Sequence, residues 1–399
     1  MRKKSNSATP QYIFLQAMLW ATYGFLFSYA NPYLTEKLGL TDTAAGLILC
    51  AATALAVLLQ PVLTAASDRT NLSVRSILLF SGALTSVCAS ATLLPYFGTA
   101  GTALLFAGAC VGLQVLPSFA NALGMEGIRS GQNINFGLAR GIGSVSFGVA
   151  ARVAPVLIGR LGMSGVAAAG AATAAFVMLS VLLMPVGRRL SARKEDKPTS
   201  AKEFFRENPK MIGFLLGAIL LYVGHNVLSN CMFRVAQLKA PGADDAAAAA
   251  VQGTALLIAA VVEIPAMFFF TAVVKKVRCD LLLLLSCLCM TLRLVLTLLL
   301  PGAAGLYGAQ VMQMLGFALF AVSTVYYVGT VVPKRNVVKG QTYLGTANTL
   351  GCLLAYAMGG SLIDAFGVPM MLTICIAVSV AGGLLVLLSV QKVTHTVGA

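Results

Sequence analysis

RRLSARKEDKPTSAKEFFRENPK, residues 188–210, is dense in charge, carries Pro198 and Pro209, and has almost no aliphatic side chains. No other stretch of the 399-residue protein reads like it. Long apolar runs fill the residues on either side. A charged tether between two apolar halves of nearly equal length predicts a duplicated membrane bundle, with lobes 1–187 and 211–399 joined by a linker at 188–210.

Composition supports that reading. The chain is 58% hydrophobic and 10% charged, with a mean hydropathy of +0.86, whereas a soluble domain carries about a quarter of its residues as Asp, Glu, Lys and Arg. A helix crossing a bilayer needs about 20 mainly apolar residues, because it rises about 1.5 Å per residue across a hydrocarbon core about 30 Å thick. The runs lack the alternation of a membrane barrel. The expected fold class is therefore all-α and integral to the membrane, with twelve spans in two six-helix lobes. The first lobe holds spans at about 11–32, 43–66, 74–95, 98–122, 137–160 and 163–187. The second holds 211–233, 246–274, 279–300, 303–332, 341–363 and 368–391.

The net charge of +15 is explained by its placement. Of the 28 Lys and Arg, Lys37, Arg160 and Lys239 fall in loops on one side and four fall within spans. The other 21 lie in the alternate loops, the tether and the termini. That asymmetry predicts that both termini and the tether are cytoplasmic. The basic side chains then meet lipid, and nucleic acid is not an expected partner. The nine cysteines sit in or beside apolar runs without a CxxC pair, which suits packing better than a disulfide or zinc framework. The opening Arg2-Lys3-Lys4 leads into an apolar run that passes Tyr29 without a small-x-small cleavage site, so it reads as a retained first span.

Charges at bilayer depth are costly and mark candidate sites. Glu263 is the only carboxylate well inside a span, and His225 the only histidine within one. Glu263 lies about eleven residues, or roughly 16 Å, from the tether-side end of span 8. Arg293 lies at a similar depth in span 9 and His225 in span 7, so all three fall near the midplane. A Glu263–Arg293 pair that serves only helix insertion is the plainer alternative. Arg234 lies at a span end and reaches water; Arg152 is deep and carries no assigned role. In span 5, Arg140 and Phe147 are seven residues apart and share one face. A guanidinium and an aromatic ring along one face suit a sugar, donating to hydroxyls and stacking on the apolar ring face. No nucleophile–base pair, metal cluster or phosphate loop stands out, so neither an enzyme nor a cofactor is expected.

At these residues the sequence resembles the major facilitator superfamily, and within it the lactose permease-like group of oligosaccharide and nucleoside proton symporters. Asp68-Arg69 followed by Arg75 is similar to the family's loop signature after span 2, with Thr64 and Asn71 where glycines are usual. Arg140 and Phe147 resemble the arginine and sugar-stacking aromatic of span 5. Glu263 falls at the family's span-8 glutamate and Arg293 at its span-9 arginine. Gly340-Gln341-Thr342-Tyr343 through Asn348, and Gly359 to Asp364, are similar to span 11 and its exit. Departures are equally specific. Asn121 or Ala122 stands where the span-4 glutamate is expected, Gln313 at the span-10 histidine, Gly316 at the proton-carrying glutamate, and His225 at a span-7 aspartate.

The resemblance implies a monomeric secondary transporter of the cell membrane, with proton-coupled symport of a small polar solute, a sugar or nucleoside, by alternating access. Its substrate residues would be Asn121, Arg140, Phe147, Gln313 and Asn348. Its coupling residues would be His225, Glu263 and Arg293, and its gate Asp68, Arg69 and Arg75. An efflux antiporter for amphipathic compounds on the same fold, and a transport-dead membrane sensor, remain the other readings.

Overall fold

The computed structural model describes residues 8–69, 73–185, 200–333 and 336–393. Within them the protein is helical, beginning with α1 (Thr9–Phe27), in which Pro10 sits in the first turn where its missing N–H costs nothing. α1 bends by 46° at Ser28-Tyr29 into α2 (Ala30–Lys37). The sequence reading ends span 1 at Asn31-Pro32, but the helix continues because Pro32 again falls in a first turn.

The first half continues with α3 (Asp42–Arg69), α4 (Val74–Ala91), α5 (Gly98–Arg129), α6 (Phe136–Leu161) and α7 (Ser164–Leu183). The short α8 (Ala201–Glu207) falls within the 188–210 stretch, and α9 (Lys210–Asn230), α10 (Met232–Lys239), α11 (Asp245–Val273) and α12 (Cys279–Leu299) follow. Span 10 is split into α13 (Gly302–Val311) and α14 (Leu319–Val331) by a widened turn at Met314–Ala318. α15 (Val337–Ser389) is the last helix and turns at Gly367, whose φ of 76° and ψ of 171° are not helical. Among the described residues, ten helices are long and apolar enough to cross a membrane, or eleven if α1 and α2 form one bent span. The twelve expected from sequence differ from that number by α15, which holds two helical runs joined at Gly367.

The helices form two compact units. The first runs to the end of α7 and takes in Gly242–Ala260, so the opening part of α11 belongs to it. That part is held by Tyr29, whose hydroxyl lies 2.8 Å from Ala151 O and 3.2 Å from Ala249 O. Gln252 Nε2 donates to Ser28 O at 2.6 Å beside the α1–α2 bend. Elsewhere in this unit Tyr33 stacks on Phe106 at 4.2 Å, and Thr22 bonds Thr173 between α1 and α7. The second unit takes in α8 to α10 and everything from Val261 on. Its core gathers Phe214, Leu283, Phe320 and Tyr327, all buried. α8 seats Phe204 and Phe205 against Tyr343, and Glu207 accepts from Asn336 Nδ2 at 3.0 Å.

The halves share one capping device. Lys37 donates to Tyr33 Oη and, at 3.5 Å, to Thr92 O at the end of α4. Lys239 donates to Leu300 O at 2.6 Å and Leu298 O at 3.3 Å, at the end of α12. α4 and α12 are spans 3 and 9, equivalent positions in a duplicated bundle. Each lysine follows its half's first span and meets the carbonyl-rich, partly negative end of a helix.

Candidate functional site

In the first unit one group of polar span residues gathers around Trp20, the protein's single tryptophan. The Arg140 guanidinium lies over its indole, 4.1 Å from the ring centroid, and Nη1 donates to Ser144 Oγ at 3.0 Å. Gly143, one turn along, lets α6 approach α1: a Cβ there would lie 2.5 Å from the indole. Trp20 Nε1 donates to Gln16 Oε1 at 3.1 Å, and Gln16 Nε2 reaches Tyr12 Oη at 2.8 Å and Asn121 Oδ1 at 3.3 Å. Tyr12, Gln16 and Trp20 stand at successive turns of α1, so one face of that helix carries the whole series of bonds. The cluster contains a cation and four aromatic or amide side chains, Tyr12, Gln16, Trp20 and Asn121. It presents flat apolar ring surface beside fixed donors.

In the second unit Arg293 on α12 is 3% exposed and is held by three hydrogen bonds. Its Nε and Nη2 both donate to Gln310 Oε1, at 3.1 and 2.5 Å, and its Nη1 lies 3.1 Å from His225 Nδ1. A guanidinium only donates, so His225 Nδ1 is the acceptor and the neutral ring carries its proton on Nε2. The imidazole lies flat on Phe317, with centroids 4.2 Å apart and planes within 6°. Glu263 on α11 accepts from Gln313 Nε2 at 2.7 Å and lies within electrostatic range of Arg293. The widened turn at Met314–Ala318 follows Gln313 directly and holds Phe317 beneath the histidine. A small cavity of about 10 Å3 is lined by residues that include His225, Met290, Arg293, Gln313 and Phe317.

The expected coupling residues His225, Glu263 and Arg293 thus come together, joined by Gln313, which the sequence reading groups with the substrate residues. Asn121 and Arg140 meet through Gln16 and Trp20. Phe147 is half-buried on α6, two turns from Arg140, and the ring on Arg140 is Trp20 instead. Asn348 is exposed on α15. Arg75 donates to Leu182 O at 2.6 Å and Met184 O at 3.5 Å, tying the start of α4 to the end of α7. The side chains of Asp68 and Arg69, and tether residues 188–199, lie outside the described part of the structure. Arg152 is exposed. Gly316, aligned with the family's proton carrier, packs on the α12 backbone, where an added Cβ would sit 3.2 Å from Met290 N. That approach leaves little room for a larger residue.

Sequence reasoning missed Tyr12, Gln16, Trp20, Gln310 and Phe317. Gln16 and Gln310 carried a readable signal, since each is an uncharged polar residue inside an apolar run. Among the described residues no group of three His, Cys, Asp or Glu is placed to hold a metal.

The comparisons with known proteins agree with this architecture. Solved structures with the same fold include the nucleoside transporter NupG, with a TM-score of 0.80 at 16% identity, covering 96% of this chain and 99% of that one. An auto-inhibited POT family peptide transporter matches at a TM-score of 0.74 and 9% identity, covering 95% of each. A bacterial homolog of the human lysosomal transporter Spinster, inward-facing and occupied, matches at 0.65 and 14%, again covering 95% of each. At these identities the likeness is one of fold. No curated protein matches the sequence. The family model described as the MFS_1 like family matches residues 12–374. Nearly the whole length is covered, and the chain therefore belongs to the MFS_1-like family, as a multi-pass membrane transporter of the major facilitator kind.

Proposed function

We propose that this transporter moves a small polar solute of the sugar or nucleoside class together with a proton, by alternating access. The observation that carries the reading is the cluster of the second unit, in which Arg293 and Gln313 are buried and His225 and Glu263 half-buried. Arg293, His225 and Glu263 lie inside spans, where charge is kept for ion or substrate pathways. Glu263 is the proton carrier in this scheme. His225 accepts from Arg293 on Nδ1, and an imidazolium there would set N–H against N–H.

Arg140, Asn121 and Phe147 in the first unit, with Gln313 and Asn348 in the second, are the substrate residues. Trp20 adds a ring of the kind that stacks on sugars and bases. The nucleoside named for the NupG structure is one member of the class proposed. Asp68, Arg69 and Arg75 serve the gate. The lobes are 1–187 and 211–399, with 188–210 as linker. The protein acts as a monomer in the cell membrane with both termini cytoplasmic, an orientation resting on the Lys and Arg asymmetry.

A thermal-shift screen of the purified protein across sugars, nucleosides and hydrophobic cations tests the substrate class. Ligands raise the unfolding temperature by mass action, so stabilising compounds should cluster among sugars or nucleosides. Stabilisation by hydrophobic cations alone overturns the reading in favour of amphipathic efflux.

A further inference from the structure

Gln313 stands between Glu263 and the small cavity of the second unit. Its Nε2 donates to Glu263 Oε1 at 2.7 Å. Its own Oε1 is buried without a hydrogen-bond partner, on a residue 5% exposed. Gln313 also lines the cavity of about 10 Å3, a volume that suits a single water-sized atom. The other polar side chains there, Arg293 and the Nε2–H of His225, are donors. A buried carbonyl oxygen left unpaired loses its hydration without compensation, so its persistence beside a donor-lined cavity calls for an occupant.

An amide serves the two forms of a carboxyl group with opposite ends. A carboxylate only accepts, so the N–H end faces it. A carboxylic acid has an O–H to donate, and a carbonyl accepts it. A glutamine exchanges its ends by a half-turn about its terminal torsion, which is broad and roughly two-fold. We infer that Gln313 reads the protonation state of Glu263: when the carboxylate takes up a proton, its O–H donates to Gln313 Oε1, and Nε2 turns to the cavity. The wall that offered an acceptor then offers a donor.

The atom held there is a water in the empty protein and an acceptor oxygen of the solute, hydroxyl or carbonyl, in the loaded one. Such an oxygen binds better when Glu263 is protonated, and by reciprocity its binding favours proton uptake. This rests on Glu263 being the proton carrier. The other titratable side chains on the surrounding elements are Lys210, Tyr222 and His225 of α9, Asp245 of α11, Cys279, Asp280, Cys287, Cys289 and Arg293 of α12, Tyr307 of α13, and Tyr326 and Tyr327 of α14. Phenols and thiols titrate well above carboxylates, so an acidic step addresses the carboxylates and His225, and the part of the signal lost in Glu263→Gln is that of Glu263.

Infrared difference spectroscopy of the full-length protein in nanodiscs, with an acidic pH step and no added solute, tests the inference. The parent should gain a carboxylic acid carbonyl band together with a shift of a glutamine amide carbonyl band. Both should vanish in Glu263→Gln. In Gln313→Met, and in Gln313→Asn should the first variant unfold, the carboxylic band should remain while the glutamine shift is lost. A carboxylic band in the parent without any glutamine shift, or a shift that survives in both Gln313 variants, overturns the inference alone. A silent carboxylic region in the folded parent refutes Glu263 as carrier, and the inference with it.

Discussion

In the first unit an arginine lies over an indole; in the second, an arginine is bonded by an amide and an imidazole with a carboxylate close by. Arg140 is half-buried, with the Trp20 indole against its guanidinium and Ser144 Oγ accepting from Nη1. Arg293 is almost wholly enclosed, and three of its N–H groups are engaged inside the protein. A cation over a ring gains about 0.5–2 kcal/mol. A buried cation balanced by acceptors and an opposite charge becomes strongly destabilising when one partner goes. The first cluster is suited to contact, the second to switching.

The largest expected effect lies in the second cluster. Arg293→Met should cost about 3–5 kcal/mol of stability, because Gln310 Oε1 and His225 Nδ1 lose their donors and Glu263 loses a neighbouring cation. Arg140→Met should cost no more than about 2 kcal/mol. Unfolding curves of both variants in one detergent make the comparison, and equal losses would break it.

A middle-sized effect belongs to the first cluster. With a ligand identified by screening, Trp20→Ala should weaken binding by about 1–3 kcal/mol, by analogy with rings that stack on bases. Phe147→Ala measured beside it shows which ring the solute meets. Binding unchanged in both would remove the aromatic platform from the scheme.

The distinction between contact and switching rests on residues the sequence revealed unevenly. Nearly every span was legible, because hydropathy is a local property averaged over about 20 residues. The bend at Ser28-Tyr29 and the widened turn after Gln313 were not, since neither changes that average. Glu263, Arg293 and His225 stood out because charge is rare in these runs. Their partners did not: helical periodicity pairs Arg140 with Phe147 on the same helix, whereas Trp20 arrives from α1 through tertiary packing alone. Gln313 was visible as a substituted position, but its bond to Glu263 depends on how α11 meets the turn between α13 and α14.

The smallest expected effect compares the two capping lysines. Lys239→Met should lower stability by about 1 kcal/mol and Lys37→Met by about 0.3 kcal/mol, the range for a cation at a helix C-terminus. Lys239 meets two carbonyls, one at 2.6 Å, whereas Lys37 meets one at 3.5 Å. Thermal unfolding of the two variants checks the order, and a reversed order would mean that these bonds do not set the difference.

Transport in proteoliposomes by Glu263→Gln bears on the coupling scheme more than any other result. Accumulation driven by a pH gradient requires a proton to be bound and released in each cycle, while counterflow exchange of solute requires no net proton movement. The variant should lose gradient-driven accumulation and keep counterflow, and His225→Asn should keep both. Proton-driven accumulation that survives in Glu263→Gln would contradict the assignment of Glu263 as the carrier.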